Sequence, residues 1–263
     1  MNILCCFKIV ADYDKVVQRD WDAARLPGPD TSYVRRIISC YDEAGLETAL
    51  RIRDAAQKCG DSVSLTAVTL GDGSYDYYFR SLFALGFERV VQICMPEPVS
   101  FTPERVASAI CQVFEGQSFD AVICGVQSAE GGGTTPYVLA KKLSMPCIPN
   151  VMELSYTASG LSVRRETASG ESTASVLCPA VYAIGNSVNP FLRMATVKMR
   201  MAAAERQAEM LDAAELNTCE GETVELRGFA RGKTGRGCVY VEGDSCKEKA
   251  ENLLKLCPEV KRT

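Results

Sequence analysis

Short apolar runs alternate with longer amphipathic stretches through the first half of the chain, and this alternation limits the possible folds most. The runs are bounded by turn-forming residues and predict strands at residues 2–10, 64–71, 89–94 and 119–125. The stretches between them repeat apolar residues at helical spacing and predict helices at residues 41–60, 74–88 and 102–116. Strands joined by helical crossovers form a parallel sheet that helices cover on both faces. The sequence therefore predicts an α/β fold with a doubly wound, mostly parallel sheet.

The second half of the chain adds elements of a different kind. A helix is predicted at residues 137–147, and Pro146 and Pro149 introduce another extended piece. Residues 162–185 alternate polar and apolar side chains, which predicts an antiparallel addition with a turn at Ser169 and Gly170. Residues 189–211 are rich in helix-forming residues and predict one more helix.

The last part of the chain predicts an arm rather than a second full domain. A turn rich in Gly and Arg at residues 227–237 precedes a predicted strand at 238–243 and a predicted helix at 245–257. We therefore divide the chain into a main domain at residues 1–216 and a C-terminal extension at residues 217–263. The helix of this arm is amphipathic and needs an apolar surface to cover it.

Composition excludes several classes of function. The formal net charge is -4 and the pI is about 5.2, so we expect no nucleic acid as a partner. The chain has neither a long apolar stretch nor a basic leader, so we expect no membrane insertion and no signal peptide. Its 13 cysteines are scattered and form no C-x-x-C pair, which favours a reducing cytoplasm.

Histidine is absent from the chain. Its absence removes the commonest general base, the Ser-His-Asp and Cys-His arrangements and the favoured zinc ligand. We therefore expect no catalytic residues and no metal site of its own. If the chain takes part in a reaction, a bound cofactor would carry the chemistry.

The segment "GVQSAEGGGTTP" at residues 125–136 follows a predicted strand and precedes a predicted helix. It lacks the lysine of a Walker A loop, and its glycine spacing does not match G-x-G-x-x-G. Glycines let backbone amides approach a ligand, and a helix N-terminus favours negative charge, so the segment suits a phosphate or a pyrophosphate. The alternative is a mobile surface loop with no ligand.

Four segments read together carry a resemblance to a known family. They are "CFKIVADYD", "SCYDEAGLETALRIRD", "LFALGFERVVQI" and "FDAVICGVQSAEGGGTTPYVLAKKLSMPCI". In this order and spacing they resemble the first strand, the opening of the first helix, a helix-to-strand segment and the nucleotide loop of the electron transfer flavoprotein β subunit. The resemblance covers about residues 1–215.

This resemblance implies a Rossmann-like, adenine-nucleotide-binding fold and a heterodimer. In the family, an α subunit holds the redox-active FAD together with the β subunit, and electrons pass from a dehydrogenase, such as acyl-CoA dehydrogenase, to a further acceptor. The β subunit binds a nucleotide of its own, AMP in some members and a second FAD in others. The implied nucleotide site contains Cys6, Phe7, Lys8, Ser39, Val68, Thr69, Gly125, Gln127, Ser128, Gly131, Gly132, Gly133, Thr134 and Thr135.

The sequence departs from the family at several positions that bear on this site. The family usually has Asn where this chain has Ser39, Asp where it has Glu130, and Thr-Gly-Gln where it has Thr134, Thr135 and Pro136. The lost Gln removes an amide donor. Pro136 also removes one backbone N–H. The choice among AMP, FAD and an empty site therefore stays open.

The resemblance also implies a docking element for the partner dehydrogenase in residues 189–202, with Phe191, Leu192 and Met194 as candidate anchors. The alternative is a helix whose Leu and Met side chains pack on the core. We expect Trp21 to be a packing residue in a long loop. We expect the acidic face of Glu43 and Glu47 to be solvated or paired with Arg51.

Three functions from different classes follow. The first is electron transfer as the β subunit of a flavoprotein heterodimer. The second is a stand-alone adenine-nucleotide-binding protein of the universal-stress type, and the third is a scaffold subunit that binds no nucleotide.

Overall fold

A large, mostly parallel sheet forms the centre of the computed structural model, which describes residues 1–24, 28–71, 73, 75–95, 102–129, 131–177, 179–213 and 238–257. The strands in these ranges are β1 (Asn2–Cys6), β2 (Ile9–Ala11), β3 (Arg36–Ile38), β4 (Ser64–Gly71), β5 (Arg89–Cys94), β6 (Ala121–Gly125), β7 (Cys147–Thr157), β8 (Gly160–Thr167), β9 (Gly170–Val176), β10 (Ala180–Ile184) and β11 (Glu209–Asp212). The helices are α1 (Gln18–Asp22), α2 (Cys40–Lys58), α3 (Asp76–Leu85), α4 (Pro103–Val113), α5 (Thr135–Leu143), α6 (Val197–Ala202) and α7 (Cys246–Leu256).

The order of the strands places β1 at a switch point. In the described residues the large sheet has the order β11-β5-β4-β1-β6-β10-β7-β8-β9. The chain builds outward from β1 through β4 and β5 on one side and through β6 and β10 on the other, with all of these strands parallel. Parallel doubly wound sheets bind ligands in the crevice at such a point, beyond the carboxyl ends of the strands.

Helices cover both faces of the parallel sheet, as the sequence predicts. Side chains of α2 and α3 pack in one core cluster with one face of the strands, and those of α4 and α5 pack in a second cluster on the other face. Helix α2 buries Leu46, Ala49 and Leu50 at helical spacing and ends just before Gly60, whose φ of 87° suits glycine. The predicted α/β, doubly wound fold is confirmed.

The antiparallel addition is confirmed in part. Strands β7, β8 and β9 pair antiparallel in sequence order, and the last turn lies at Ser169 and Gly170 as predicted. The last residues of the predicted antiparallel region, 180–184, are not part of it. They form β10, which lies parallel to β6 and β7 inside the main sheet. Its uninterrupted burial, from Ala180 to Ile184, is typical of a central parallel strand.

Two predicted elements are wrong in extent. The first apolar run is not one strand, because β1 ends at Cys6 and β2 pairs antiparallel with β3 in a separate small sheet. Residues 189–211 are not one helix, because only α6 is helical and β11 pairs with β5. Tertiary contacts override helix propensity here: Glu209 on β11 makes a two-pronged ion pair with Arg89 on β5, with N–O distances of 2.9 and 2.7 Å.

The C-terminal arm is described only from residue 238 to residue 257. Helix α7 confirms the predicted helix, and Ser245 caps it by accepting a hydrogen bond from the Glu248 N–H. Residues 238–243 form no strand, which corrects the prediction. The predicted turn at 227–237 lies outside the described residues. In the described part of the chain, no helix is long and apolar enough to cross a membrane.

Candidate functional site

A cavity of about 340 Å³ opens at the carboxyl ends of β1, β4 and β6, between α4 and α5. Its position is the switch point of the sheet, and its volume falls in the range of small-molecule sites. Most of the residues implied by the resemblance line it: Cys6, Phe7, Lys8, Val68, Gly125, Gln127, Ser128, Gly131, Gly132, Gly133, Thr134 and Thr135. The sequence motifs therefore converge in space.

Ser39 and Thr69 do not line the cavity, so the structure does not bring these two predicted site residues together with the others. Ser39 precedes α2 and is 3% exposed, and its N–H donates to the Lys8 carbonyl at 2.8 Å. Thr69 lies between Val68 and Leu70, which both face the cavity, so strand alternation directs its side chain to the opposite face of β4.

The glycine-rich loop presents backbone donors to the cavity. Within the described residues, the amides of Gly132, Gly133, Thr134 and Thr135 donate to no protein acceptor. They stand at the N-terminus of α5, where unpaired N–H groups and the helix dipole favour an anion. The loop therefore fits a phosphate group.

Two residues of this loop, Gly133 and Pro136, fit restrictions on its backbone conformation. Gly133 has φ of 72°, and a Cβ there would lie 2.9 Å from the Val126 carbonyl oxygen. Pro136 occupies the first turn of α5, where its φ is compatible with a helix and most N–H groups have no intrahelical partner. Pro136 therefore removes one donor and leaves the amides before it available.

Asp42, in the first turn of α2, joins the two strand ends beneath the cavity. Its Oδ2 accepts the Lys8 N–H at 2.9 Å and its Oδ1 accepts the Gly125 N–H at 2.8 Å. Gly125 must lack a side chain, because a Cβ would lie 2.4 Å from the Asp42 Oδ1. Burial raises the pKa of Asp42 to about 7, and the two backbone hydrogen bonds oppose that shift.

Helix α4 forms one wall of the cavity, and the sequence analysis did not predict it. Residues on one side of α4 that lie three and four positions apart could have indicated this wall. Asp42 gave a weaker signal, because a single acidic residue at the start of a helix is common. The missed lining residues are Asp42, Leu70, Thr102, Pro103, Glu104, Val106, Ile110 and Cys124.

A second feature is the irregular segment at residues 185–196, which we call the β10–α6 loop. Glu47 on α2 is only 3% exposed in its side chain and binds Arg193 from this loop, with N–O distances of 2.9 to 3.2 Å. Its carboxylate also accepts the backbone N–H of Arg193 and the guanidinium of Arg51. Of the two predicted alternatives, the pair with Arg51 is confirmed, and Glu47 is not solvated.

Other carboxylates of α2 complete this attachment. Glu43 accepts the Leu192 N–H at 3.2 Å, and Asp54 binds the Arg193 guanidinium. The pKa of Arg193 is raised, chiefly by its hydrogen bonds to Glu47 and further by its hydrogen bond to Asp54. The β10–α6 loop is therefore fixed to one face of α2.

The side chains of this loop alternate between the core and the solvent. Leu192 packs against the main core cluster. Phe191 is 77% exposed and Met194 is 83% exposed. The predicted alternative of a core-packed helix is wrong at these positions, and two of the three candidate anchors are free of the core.

Trp21 packs against Tyr13 beside a small apolar cluster, which confirms its predicted packing role, although it lies in α1 and not in a loop.

Fold and site together define an α/β protein with a doubly wound sheet and a ligand-sized cavity, lined by backbone donors, at its switch point. A family model described as electron transfer flavoprotein domain matches residues 30–216. The chain is 32% identical over 256 residues to the Escherichia coli (strain K12) protein named "Putative electron transfer flavoprotein subunit YgcR", covering 96% of both chains. The chain belongs to the electron transfer flavoprotein family. Membership supports a role in electron transfer and implies a partner subunit.

We predict that Asp42 makes the stability of the protein depend on pH. The unfolded carboxyl loses its proton near pH 3.8 and the folded one near pH 7, so the folded state binds more protons between these values. The free energy of unfolding should therefore fall as pH rises from about 4 to about 7, by up to about 4 kcal/mol. Urea unfolding at a series of pH values measures it.

The Asp42→Asn variant should lose this contribution, and the difference from the wild type isolates it from other carboxyls. Asp120→Asn is the control, because Asp120 also accepts a backbone N–H but lies on the surface. Equal pH profiles for the wild type and Asp42→Asn would contradict the assignment.

We predict that Glu47→Gln destabilises the protein by about 2 kcal/mol, because it leaves Arg193 without its nearly buried partner. The expected loss of stability is smaller than for a fully buried ion pair, because the Arg193 side chain is 35% exposed. Amide hydrogen exchange at Leu192 and Arg193 should also become faster. The control is Glu171→Gln, which breaks the exposed pair with Arg164 and should cost less than about 1 kcal/mol. Similar losses in both variants would contradict the prediction.

Proposed function

We propose that this chain is the β-type subunit of a heterodimeric electron transfer flavoprotein in the cytoplasm. The heterodimer passes electrons from a dehydrogenase, such as acyl-CoA dehydrogenase, to a further acceptor through FAD held with the α-type subunit. The switch-point cavity holds an adenine nucleotide, AMP or a second FAD. The observation that carries the proposal is this cavity, with unpaired amides at one end and apolar walls beside them.

The residues of the cavity fit the parts of an adenine nucleotide. The amides of residues 132–135 and the hydroxyls of Thr134 and Thr135 would hold a phosphate without a lysine. Val68 and Leu70 from β4 and Val106 and Ile110 from α4 supply an apolar wall that suits a flat ring. A nucleotide that is bound and not hydrolysed needs no catalytic cation, which agrees with the absence of a Walker A lysine.

The redox chemistry in this proposal belongs to the flavin, which accepts and returns electrons when it is bound. The chain itself supplies binding and orientation. Its lack of histidine agrees with this division, because no proton-transfer group of that kind is needed to hold a nucleotide.

The β10–α6 loop and the start of α6 form the proposed docking surface for the dehydrogenase. Phe191, Met194 and Val197 are each at least 75% exposed, and the cations Lys198 and Arg200 follow on α6. Exposed apolar side chains beside cations fit an apolar groove with an acidic rim. The attachment to Glu47 holds the backbone in place, which lowers the entropic cost of docking.

Helix α7 fits a contact with the other subunit of the heterodimer. It buries none of its residues within the described chain, and Leu253 and Leu256 are at least half exposed. An amphipathic helix with an uncovered apolar side needs a partner surface. We assign that surface to the α-type subunit.

Co-expression with the presumed α-type chain tests the function directly. We expect a yellow complex that releases FAD on denaturation, together with AMP or a second FAD. Deleting residues 219–263 should reduce the amount of α-type chain retained. A colourless, stable monomer that retains no partner would exclude the proposal, and binding of ATP or AMP by that monomer would favour the stand-alone alternative.

We predict that Gly133→Ala weakens nucleotide binding at least about tenfold, or about 1.4 kcal/mol. The new Cβ disfavours the left-handed backbone and meets the Val126 carbonyl, so the loop must shift. Titration calorimetry with AMP measures the affinity. Gly60→Ala is a matched control, because Gly60 also has positive φ but open space around it. Unchanged affinity in Gly133→Ala would place the nucleotide elsewhere.

We predict that Phe191→Ala and Met194→Ala each raise the KM for the heterodimer about tenfold when a substrate-reduced acyl-CoA dehydrogenase is the electron donor. Nucleotide content and the free energy of unfolding should not change, because both side chains are exposed. The control is Leu177→Ala, since Leu177 is 74% exposed and directly follows β9 at the edge of the sheet. Equal effects at residues 177, 191 and 194 would contradict docking at this loop.

A further inference from the structure

Two thiols stand side by side on neighbouring strands at the floor of the cavity. Strands β1 and β6 are parallel and pair Cys5 with Ile123, so the next position places Cys6 beside Cys124. Neighbouring strands lie about 4.8 Å apart, and disulfides join residues whose Cα atoms are about 4.4 to 6.8 Å apart. The backbone spacing is therefore compatible with a bond between the two sulfurs.

The side chains lie on one face of the sheet. Both residues line the cavity, and both pack in the core cluster that α4 and α5 cover. Cys6 is partly exposed toward the cavity, whereas Cys124 is 4% exposed. The adjacent Cys5 belongs to the core on the other face of the sheet, and Cys147 on β7 does not line the cavity.

The surroundings give the two thiols different roles in an oxidation. The hydrogen bond to Cys6, and then burial, raise the pKa of Cys124 well above its ordinary value, so Cys124 keeps its proton at neutral pH. A buried, protonated thiol reacts slowly with an oxidant, and a thiol at the wall of an open cavity is accessible. Cys6 would therefore react first, with Cys124 as the neighbour that reacts with the product.

We propose that Cys6 and Cys124 form an oxidisable dithiol, sensitive to peroxides, in the floor of the nucleotide cavity. Hydrogen peroxide transfers one oxygen to the Cys6 thiol, which becomes a sulfenic acid, and the other oxygen leaves as water. The Cys124 thiol then attacks the Cys6 sulfur, a disulfide forms and a second water leaves. Two thiols and one peroxide thus give one disulfide and two waters, and a dithiol reductant reverses the change.

The disulfide changes the site at the ends of the two strands. An S–S bond is about 2.05 Å long, so the two sulfurs must move together to form it. Cys6 and Cys124 directly precede the segments that carry Phe7 and Gly125, and Asp42 holds both strand ends. We expect the oxidised chain to bind AMP at least about fivefold more weakly, and bound AMP to slow the oxidation. These two expectations rest on the proposed function, whereas formation of the disulfide does not.

The test treats the full-length chain with hydrogen peroxide, blocks the remaining thiols with N-ethylmaleimide and maps disulfides by peptide mass spectrometry. A cross-linked pair of peptides that contain Cys6 and Cys124, absent in Cys6→Ser and retained in Cys147→Ser, supports the dithiol. The wild-type map stands even if a variant fails to fold. Sulfinic acid at Cys6 with Cys124 still alkylatable, or disulfides only at other cysteines, would overturn it.

Repeating the oxidation with AMP present separates the two proposals. Slower cross-linking with AMP supports both. Cross-linking at an unchanged rate, with AMP shown to bind, supports the dithiol and counts against the nucleotide site proposed above.

Discussion

The carboxylate of Asp42 organises the switch point on which the cavity depends. It comes from the first turn of α2 and accepts one N–H from just beyond β1 and one from the end of β6. These groups lie where two neighbouring parallel strands stop, and without an acceptor they would be partly buried donors that lack a partner. Because the carboxylate sits against Gly125, no side chain fits there, and the backbone of β6 can turn into the glycine-rich loop.

Helix α2 connects the two surfaces that the proposed function requires. Its first turn holds the floor of the switch-point cavity through Asp42, and further along it Glu43, Glu47 and Asp54 hold the β10–α6 loop. Burying Glu47 is costly unless it is paired, so the loop cannot leave without exposing or stranding that charge. One helix therefore fixes both the cavity and the segment that displays Phe191 and Met194.

Local pattern predicted the central sheet, because apolar periodicity decides which segments are buried strands and helices. It failed at residues 189–211, where Arg193 is bound to α2 and β11 pairs with β5, because these contacts join residues far apart in the sequence. The resemblance found most of the cavity, since the glycine-rich loop is a local motif. It also named Thr69, whose side chain strand alternation directs away from the cavity. Local pattern gave no reason to bury Glu47, whose partner lies 146 residues along the chain.

The central claim is that the amides of the glycine-rich loop hold the phosphate of an adenine nucleotide. Amide proton and nitrogen chemical shifts, recorded as AMP is added to the isotope-labelled chain, test it most directly. We expect the amide protons of Gly132 and Gly133 to move downfield as they donate to phosphate, while those of Gly60 and Gly170 stay in place. Saturable AMP binding that leaves Gly132 and Gly133 unmoved would contradict the claim.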